Sequence, residues 1–235
     1  MPKEPTKSRI SRVPKGNSSS RGKNPKDSHL YTDDNPSTTI HGTGFKDKAA
    51  AVRTLDLIKN RSLIYQFQTV NTMYHRAKHH PSMKKAVEGS ASTADMRAAM
   101  DVFRHWLDVT YPTERGELRA GGFKPLLSKA CVERYLEQIK ESADVSEQAK
   151  VFAKVYAELP KGKKLGNVLV SDSKPTEADW ERLRYDSLDE LVPSGKEQPK
   201  SWTTDQLWEG DRQISATHLE LIAWAWSPVV EAKIP

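Results

Sequence analysis

The sequence has little cysteine and no long hydrophobic run, and each shortage excludes a class of protein. Cys131 is the single cysteine, so no disulfide can form within the chain, and we expect a reducing compartment. No run approaches the roughly 18 apolar residues of a membrane-spanning helix, and we predict no membrane association. Because no apolar stretch follows the N-terminal charges, we also expect no secretory signal.

Large apolar residues and acidic residues are both scarce in residues 1–28. This segment has eight basic and two acidic residues, a net charge of +6, and its only large apolar side chains are Met1, Ile10 and Val13. So little apolar surface cannot offset the entropy that ordering would cost. We therefore predict a disordered basic arm over residues 1–28, followed by an extended approach segment over residues 29–44.

The rest of the chain is neutral overall, but its charge is unevenly distributed. The net charge of the whole chain, +6, equals that of the arm. Residues 40–85 contain nine basic and two acidic residues, a net charge of +7, whereas residues 174–235 contain seven basic and twelve acidic residues, a net charge of −5. Such polarity bears on the choice of partner and not on the fold.

Apolar residues at helical spacing dominate the chain after residue 44 and predict an all-α fold of five to seven helices. Ser128 and Ser146 are predicted to cap two of these helices. Pro112 is expected to end another, with a loop over residues 112–127. Short extended runs are rare, and we predict at most one short hairpin or strand, near residues 165–171.

Changes in composition suggest a division at residue 160. We predict a helical domain over residues 45–160, in which the first three helices form a compact unit near residues 40–112. An acidic, Trp-rich helical subdomain over residues 161–235 is expected to pack on or near it. The polar, Pro- and Gly-containing residues 193–201 are the best candidate for a linker.

The second predicted helix, from Leu63 to His79, has a polar face that suggests nucleic-acid binding. Arginine and lysine neutralise phosphates, and asparagine and glutamine can pair with base edges. The alternative is the solvated face of an ordinary amphipathic helix. Gln66 belongs to the same polar set, and the predicted nucleic-acid-binding residues are Gln68, Asn71, Thr72, His75, Arg76, Lys78, His79, Lys84 and Lys85.

No residue pattern predicts an active site, a metal site or a cofactor. His75 and His79 are four residues apart, as in H-E-x-x-H zinc sites, but Arg76 occupies the position that requires glutamate. Cys131 adjoins an apolar stripe and is better interpreted as a small core residue than as a nucleophile. The basic turn at residues 161–164 lacks the phosphate-loop pattern and is interpreted as an exposed surface turn.

The C-terminal region contains four of the six tryptophans and suggests a different function. On a helix, Trp224 and Trp226 would point about 200° apart, so one ring can be buried while the other faces a partner or a second part of the body. Exposed aromatic rings are typical of protein interfaces. Trp224 and Trp226 are therefore the predicted partner-binding residues.

These patterns give three hypotheses for function. The first is a non-enzymatic nucleic-acid-associated protein, nuclear or cytoplasmic, that contacts DNA or RNA phosphates through the arm and the second helix. The second is a protein-interaction or scaffold module that docks a partner through its Trp-rich acidic C-terminal region. The third is an enzyme of unrecognised class. The Ser- and Arg-rich composition of the arm leaves an organellar transit peptide as an alternative for its targeting.

Overall fold

Most of the described chain is helical. A computed structural model describes residues 40–84, 91–120, 123, 126–193, 195, 201–210 and 213–235. Within these ranges the helices are accompanied by a single two-stranded hairpin, which confirms the predicted all-α fold. The predicted arm, most of the approach segment and most of the predicted linker lie outside the described residues.

The first half of the described chain packs five helices and one π-helical turn around a core of its own. The longest two, α2 and α4, pack against each other, and α4 also packs on α1. Ile58, Val70 and Phe103 are fully buried between them. The elements are α1 (Lys48–Ile58), α2 (Leu63–Lys78), α3 (Pro81–Lys84), α4 (Ala91–His105), the π-helical turn Trp106–Thr110 and α5 (Tyr111–Ala120).

The expectation that Pro112 ends a helix is wrong, because a π-helical turn precedes it. The backbone N–H of Tyr111 donates to the carbonyl of Trp106, five residues back. In a regular α-helix the proline ring clashes with the carbonyl four residues earlier, and the wider π turn changes that geometry. The helix therefore continues as α5, where a loop was expected.

The second half forms a larger core in which α10 packs against both α6 and α7. The hairpin lies here at residues 208–214, with Trp208 paired to Ile214. Near residues 165–171, only Leu169 forms a bridge, to Asp179. The elements are α6 (Lys129–Glu141), α7 (Glu147–Glu158), α8 (Trp180–Leu191), α9 (Thr204–Leu207), β1 (Trp208–Glu209), β2 (Gln213–Ile214) and α10 (Ala216–Ala223), with 3₁₀ turns at Leu165–Asn167 and Glu231–Lys233.

The boundary between the two hydrophobic cores does not lie at residue 160, although the composition of the sequence changes there. Phe152 of α7 is fully buried against Trp180 and Trp224, at ring-centroid distances of 6.0 and 5.0 Å. Helices on both sides of residue 160 therefore share one core, which extends over residues 123–234. The other core ends at the π-helical turn, with Trp106 as its last buried member.

A buried ion pair joins the two halves of the chain. Arg61, between α1 and α2, places its Nε 3.0 Å from Asp179 Oδ2, and both side chains are almost fully buried. Asp179 also caps α8 by accepting from the Arg182 N–H, and it accepts from the Ser62 N–H at 2.9 Å. This pair fixes the start of α2 against the segment that leads into α8.

Candidate nucleic-acid interface

Helix α2 has one buried face and one exposed face, each with helical spacing. Gln66, Val70, Met73 and Ala77 are buried against the N-terminal core. Three- and four-residue steps place side chains on one side of a helix. The opposite side carries a row that we call the α2 stripe, all of it exposed, consisting of Gln68, Thr72, His75 and His79.

The other predicted residues flank this stripe or lie outside the described region. Lys78 is exposed, and Asn71 and Arg76 are half-buried at the margins. The backbone of Lys84 ends α3, while its side chain and all of Lys85 fall outside the described residues. Seven of the nine predicted side chains are therefore described, and all seven reach the surface of one helix.

The inclusion of Gln66 in the polar set was wrong. Its side chain is buried, and its amide nitrogen donates to the carbonyls of Arg61 and Lys59 at 2.8 and 3.2 Å. Gln66 therefore closes the connection between α1 and α2 and does not face solvent. Its spacing from Val70, which continues the apolar stripe, is the signal that sequence analysis overlooked.

The charge along α2 is positive and is not opposed by nearby acidic residues in the sequence. No aspartate or glutamate occurs between Asp56 and Glu88. Arg104 of α4 adds a further cation at the margin, because its Nη2 donates to the Tyr74 hydroxyl at 2.7 Å. This hydrogen bond raises the pKa of the Arg104 guanidinium. Arg76 and Lys78 therefore flank the C-terminal half of the stripe, and Arg104 lies beside Tyr74, where Asp108 and Asp101 partly offset its charge.

His75 and His79, at the end of α2, are exposed. The His75 and His79 rings are nearly parallel, 9° apart, with centroids separated by 6.1 Å. His80 turns away and packs edge-on to Phe45. Among the described residues, no group of three or more histidine, cysteine or acidic side chains could hold a metal ion.

The geometry of the stripe suits a groove or a strand of nucleic acid. Eleven residues separate Gln68 from His79, which corresponds to about 16 Å along the helix. The major groove of DNA is about 12 Å wide and admits an α-helix, and aromatic rings can stack on unpaired bases. The stripe offers amide, hydroxyl and imidazole groups, with cations beside them.

The predicted partner-binding tryptophans both lie in the core, so of the two expected alternatives the second ring faces another part of the body. Trp224 and Trp226 are 1% and 3% exposed. Helix α10 ends at Ala223, and Ala225 adopts φ = 53°. The Trp226 N–H donates to the carbonyl of Leu221, which closes a Schellman turn that reverses the chain. The 200° helical offset therefore does not apply, and both rings point inward.

The C-terminal half contains a buried cation that sequence analysis missed. Arg184 is 1% exposed and donates to the carbonyls of Trp224, Ala225 and Phe123 at 2.7, 3.2 and 3.1 Å. Burial lowers the pKa of its guanidinium to about 10. Its position four residues after Trp180 and four before Leu188 was the available signal that it faces the core. Arg184 therefore caps the end of α10 and does not bind anions at the surface.

Cys131 lies in the C-terminal core, as the sequence interpretation expected. Its side chain is fully buried on α6, beside Val132 and Tyr135 in the same cluster. Burial raises the pKa of the thiol, which keeps it protonated and weakens it as a nucleophile.

Comparison with models of protein families, with curated proteins and with solved structures finds no match to this chain. Within the described ranges, no helix is both long enough and apolar enough to cross a membrane.

Proposed function

We propose that the protein is a non-enzymatic nucleic-acid-associated protein that contacts phosphates through its basic arm and through α2. The observation that carries this proposal is the α2 stripe, which exposes hydrogen-bonding side chains beside Arg76, Lys78 and Arg104. The absence of acidic residues between Asp56 and Glu88 favours an anionic partner. Phosphates are the anions that both lysine and arginine neutralise in nucleic acids.

The arm and the stripe make different contributions in this proposal. Residues 1–28 carry a net charge of +6 and supply attraction without sequence preference. The stripe adds Gln68 and His75 to that attraction, and such groups can hydrogen-bond to base edges as well as to phosphates. Binding to the arm alone would differ little between sequences, whereas binding through α2 can discriminate among them.

The hypothesis of a protein-interaction module loses the two residues on which it rested. Trp224 and Trp226 are buried, and the indole nitrogen of Trp224 donates to Glu220. No other described feature favours that function over nucleic-acid binding.

The test is binding of fluorescently labelled single- and double-stranded DNA and RNA at salt concentrations from about 50 to about 200 mM. Three proteins are compared with the full chain: one lacking residues 1–28, the variant R76Q/K78Q, and the control K140Q/K154Q. The control removes the same charge from exposed positions on α6 and α7. We expect the truncated protein still to bind, with an affinity that falls steeply with salt.

R76Q/K78Q is expected to weaken that binding, because it removes phosphate contacts. Each lost contact should also make the slope of log affinity against log salt shallower by about 0.9 on duplex DNA. The control should leave the slope unchanged. If binding disappears with residues 1–28, or if both variants behave alike, α2 is not a nucleic-acid surface.

A further inference from the structure

We propose that a second cluster of lysines, far from α2 in sequence, contacts the same nucleic acid at the opposite end of the α2 stripe. This cluster, which we call the lysine turn, consists of Lys161, Lys163 and Lys164. The inference depends on the proposed function and extends it by naming a second phosphate-binding site and the length of ligand that it requires.

The fold brings the lysine turn to the N-terminal end of α2. Gly166, two residues after the turn, lies so close to α2 that an added Cβ would be 2.6 Å from Ser62 Oγ and 3.0 Å from Ile64 Cγ2. Arg61 Nη2 donates to the Gly166 carbonyl at 3.1 Å. A Cβ at position 166 would force these side chains to shift, and the hydrogen bond from Arg61 holds the Gly166 backbone beside the start of α2.

The close approach of Gly166 to Ile64 places the segment that follows the lysine turn beside the first turn of α2. Ile64 is one helical turn before Gln68, and the two share the side of α2 that continues through Thr72. Arg76 and Lys78 flank the other end. Fourteen residues separate Ile64 from Lys78, which corresponds to about 21 Å along the helix. The lysine turn precedes a segment packed on the N-terminal end of α2, and Arg76 and Lys78 lie toward its C-terminal end.

The local structure of the turn directs its lysines to solvent. The Lys163 N–H donates to the Pro160 carbonyl at 3.1 Å, and Gly162 adopts φ = 88°, which glycine accommodates without strain. Lys161, Lys163 and Lys164 are exposed, while the next residue, Leu165, is buried and anchors the segment.

The carboxylate of Glu181 also lies close to Gly166. Glu181 Oε2 lies 2.8 Å from the position where a Gly166 Cβ would be. Its side chain is half-buried, whereas the lysines are exposed. Glu158, three residues before Lys161, is also exposed, so three lysines stand against two carboxylates and the formal charge of these five side chains is +1.

The separation of the two charged ends identifies a polymer as the ligand. Phosphates repeat about every 3.4 Å along each strand of duplex DNA, so 21 Å corresponds to about six phosphates. A nucleotide or a free phosphate can occupy one end only. A continuous nucleic acid of about six nucleotides or more can contact both ends at once.

The inference is tested by the salt dependence of binding, measured with a 12-base-pair DNA duplex and the full-length protein. The variants are K163Q/K164Q at the lysine turn, R76Q/K78Q at the other end, the combination of all four changes, and the charge-matched control K140Q/K154Q. All the altered lysines are exposed, and thermal unfolding verifies that each variant folds.

We expect K163Q/K164Q to weaken binding and to reduce the salt slope by about 1 to 2, as R76Q/K78Q does, with a larger reduction when they are combined. If R76Q/K78Q weakens binding while K163Q/K164Q matches the control, the lysine turn is not part of the surface and the proposed function still stands. If the unaltered protein does not bind, both proposals are overturned.

Discussion

The two halves of the chain use their charged side chains in different ways. In the N-terminal core, residues 40–111, Lys78 and Arg104 lie at the surface beside α2, whereas Arg61, directly before α2, is buried in the ion pair with Asp179. In the C-terminal core, residues 123–234, Arg184 and Glu220 are buried and satisfy the ends of helices. Net charge along a sequence therefore does not equal charge at the surface, although Glu177, Asp186 and Glu190 of the C-terminal half are exposed.

Two acidic residues of the C-terminal half, Glu220 and Glu231, hydrogen-bond to serines that cap helices. Glu220 accepts from the backbone N–H and the hydroxyl of Ser146, at 2.8 and 2.7 Å, where α7 begins. Glu231 accepts from the same two groups of Ser128, where α6 begins. Each carboxylate completes a serine cap and stabilises the positive end of the helix dipole. Part of the predicted acidic docking surface is therefore internal structure.

The largest expected effect is the loss of stability when the buried ion pair between Arg61 and Asp179 is broken. Asp179→Asn removes the charge opposite Arg61 and leaves that guanidinium uncompensated in the interior. Breaking one partner of such a pair costs about 3 to 5 kcal/mol. We expect a loss of about that size in the free energy of unfolding, measured in urea.

The matched control is Asp186→Asn, which breaks an ion pair with Arg182 in which both side chains are about half exposed. Exposed pairs contribute at most about 1 kcal/mol. Equal effects of the two substitutions would contradict the assignment of Asp179 to the junction between the cores.

The second effect is a loss of stability in acid that originates in the C-terminal core. His218 is fully buried, and burial lowers its pKa to about 4. In the unfolded chain its pKa is about 6.5, so between these values the unfolded state takes up a proton that the native state does not. We expect stability to fall by about 3 kcal/mol as pH decreases from about 6.5 to about 4.

Comparison of the wild type with His218→Gln isolates this contribution from that of other titrating groups. The variant should lose less stability over the same pH range, and His105→Gln, at an exposed position, should behave as the wild type does. Parallel pH curves for the wild type and His218→Gln would contradict this account, because they would show that the pKa of His218 is the same in the native and unfolded states.

A smaller effect distinguishes the two glutamate caps. Glu220 is 9% exposed and also accepts from the Trp224 indole, so Glu220→Gln should cost about 1 to 2 kcal/mol. Glu231 is more exposed, and Glu231→Gln should cost less than about 1 kcal/mol. Thermal unfolding measures both, and a larger loss for Glu231→Gln would reverse the order that burial predicts.

Local features of the fold could be predicted because they depend on neighbours in sequence. Ser128 and Ser146 cap α6 and α7 as expected, each accepting from a backbone N–H three residues on. Long-range contacts could not be predicted in this way. Arg61 and Asp179 are 118 residues apart, and neither residue alone indicates burial. The π-helical turn before Pro112 also leaves no periodic signal in the sequence.

The candidate interface was predictable to the extent that it follows helix periodicity. The exposure of Gln68, Thr72, His75 and His79 follows from the spacing of the apolar residues opposite them. The lysine turn could not be placed beside α2, because a contact between Gly166 and Ile64 has no local signature. Trp224 and Trp226 were misplaced because the chain leaves the helix between them.

The most direct test of the account follows the histidine ring protons by NMR while a DNA or RNA oligonucleotide is added to the full-length protein. His75 and His79 lie on the α2 stripe, while His218 is buried in the C-terminal core and serves as an internal control. If α2 binds nucleic acid, the His75 and His79 signals will shift with saturable binding, while the His218 signal will not. Binding that leaves His75 and His79 unchanged would contradict the assignment of α2 as the nucleic-acid surface.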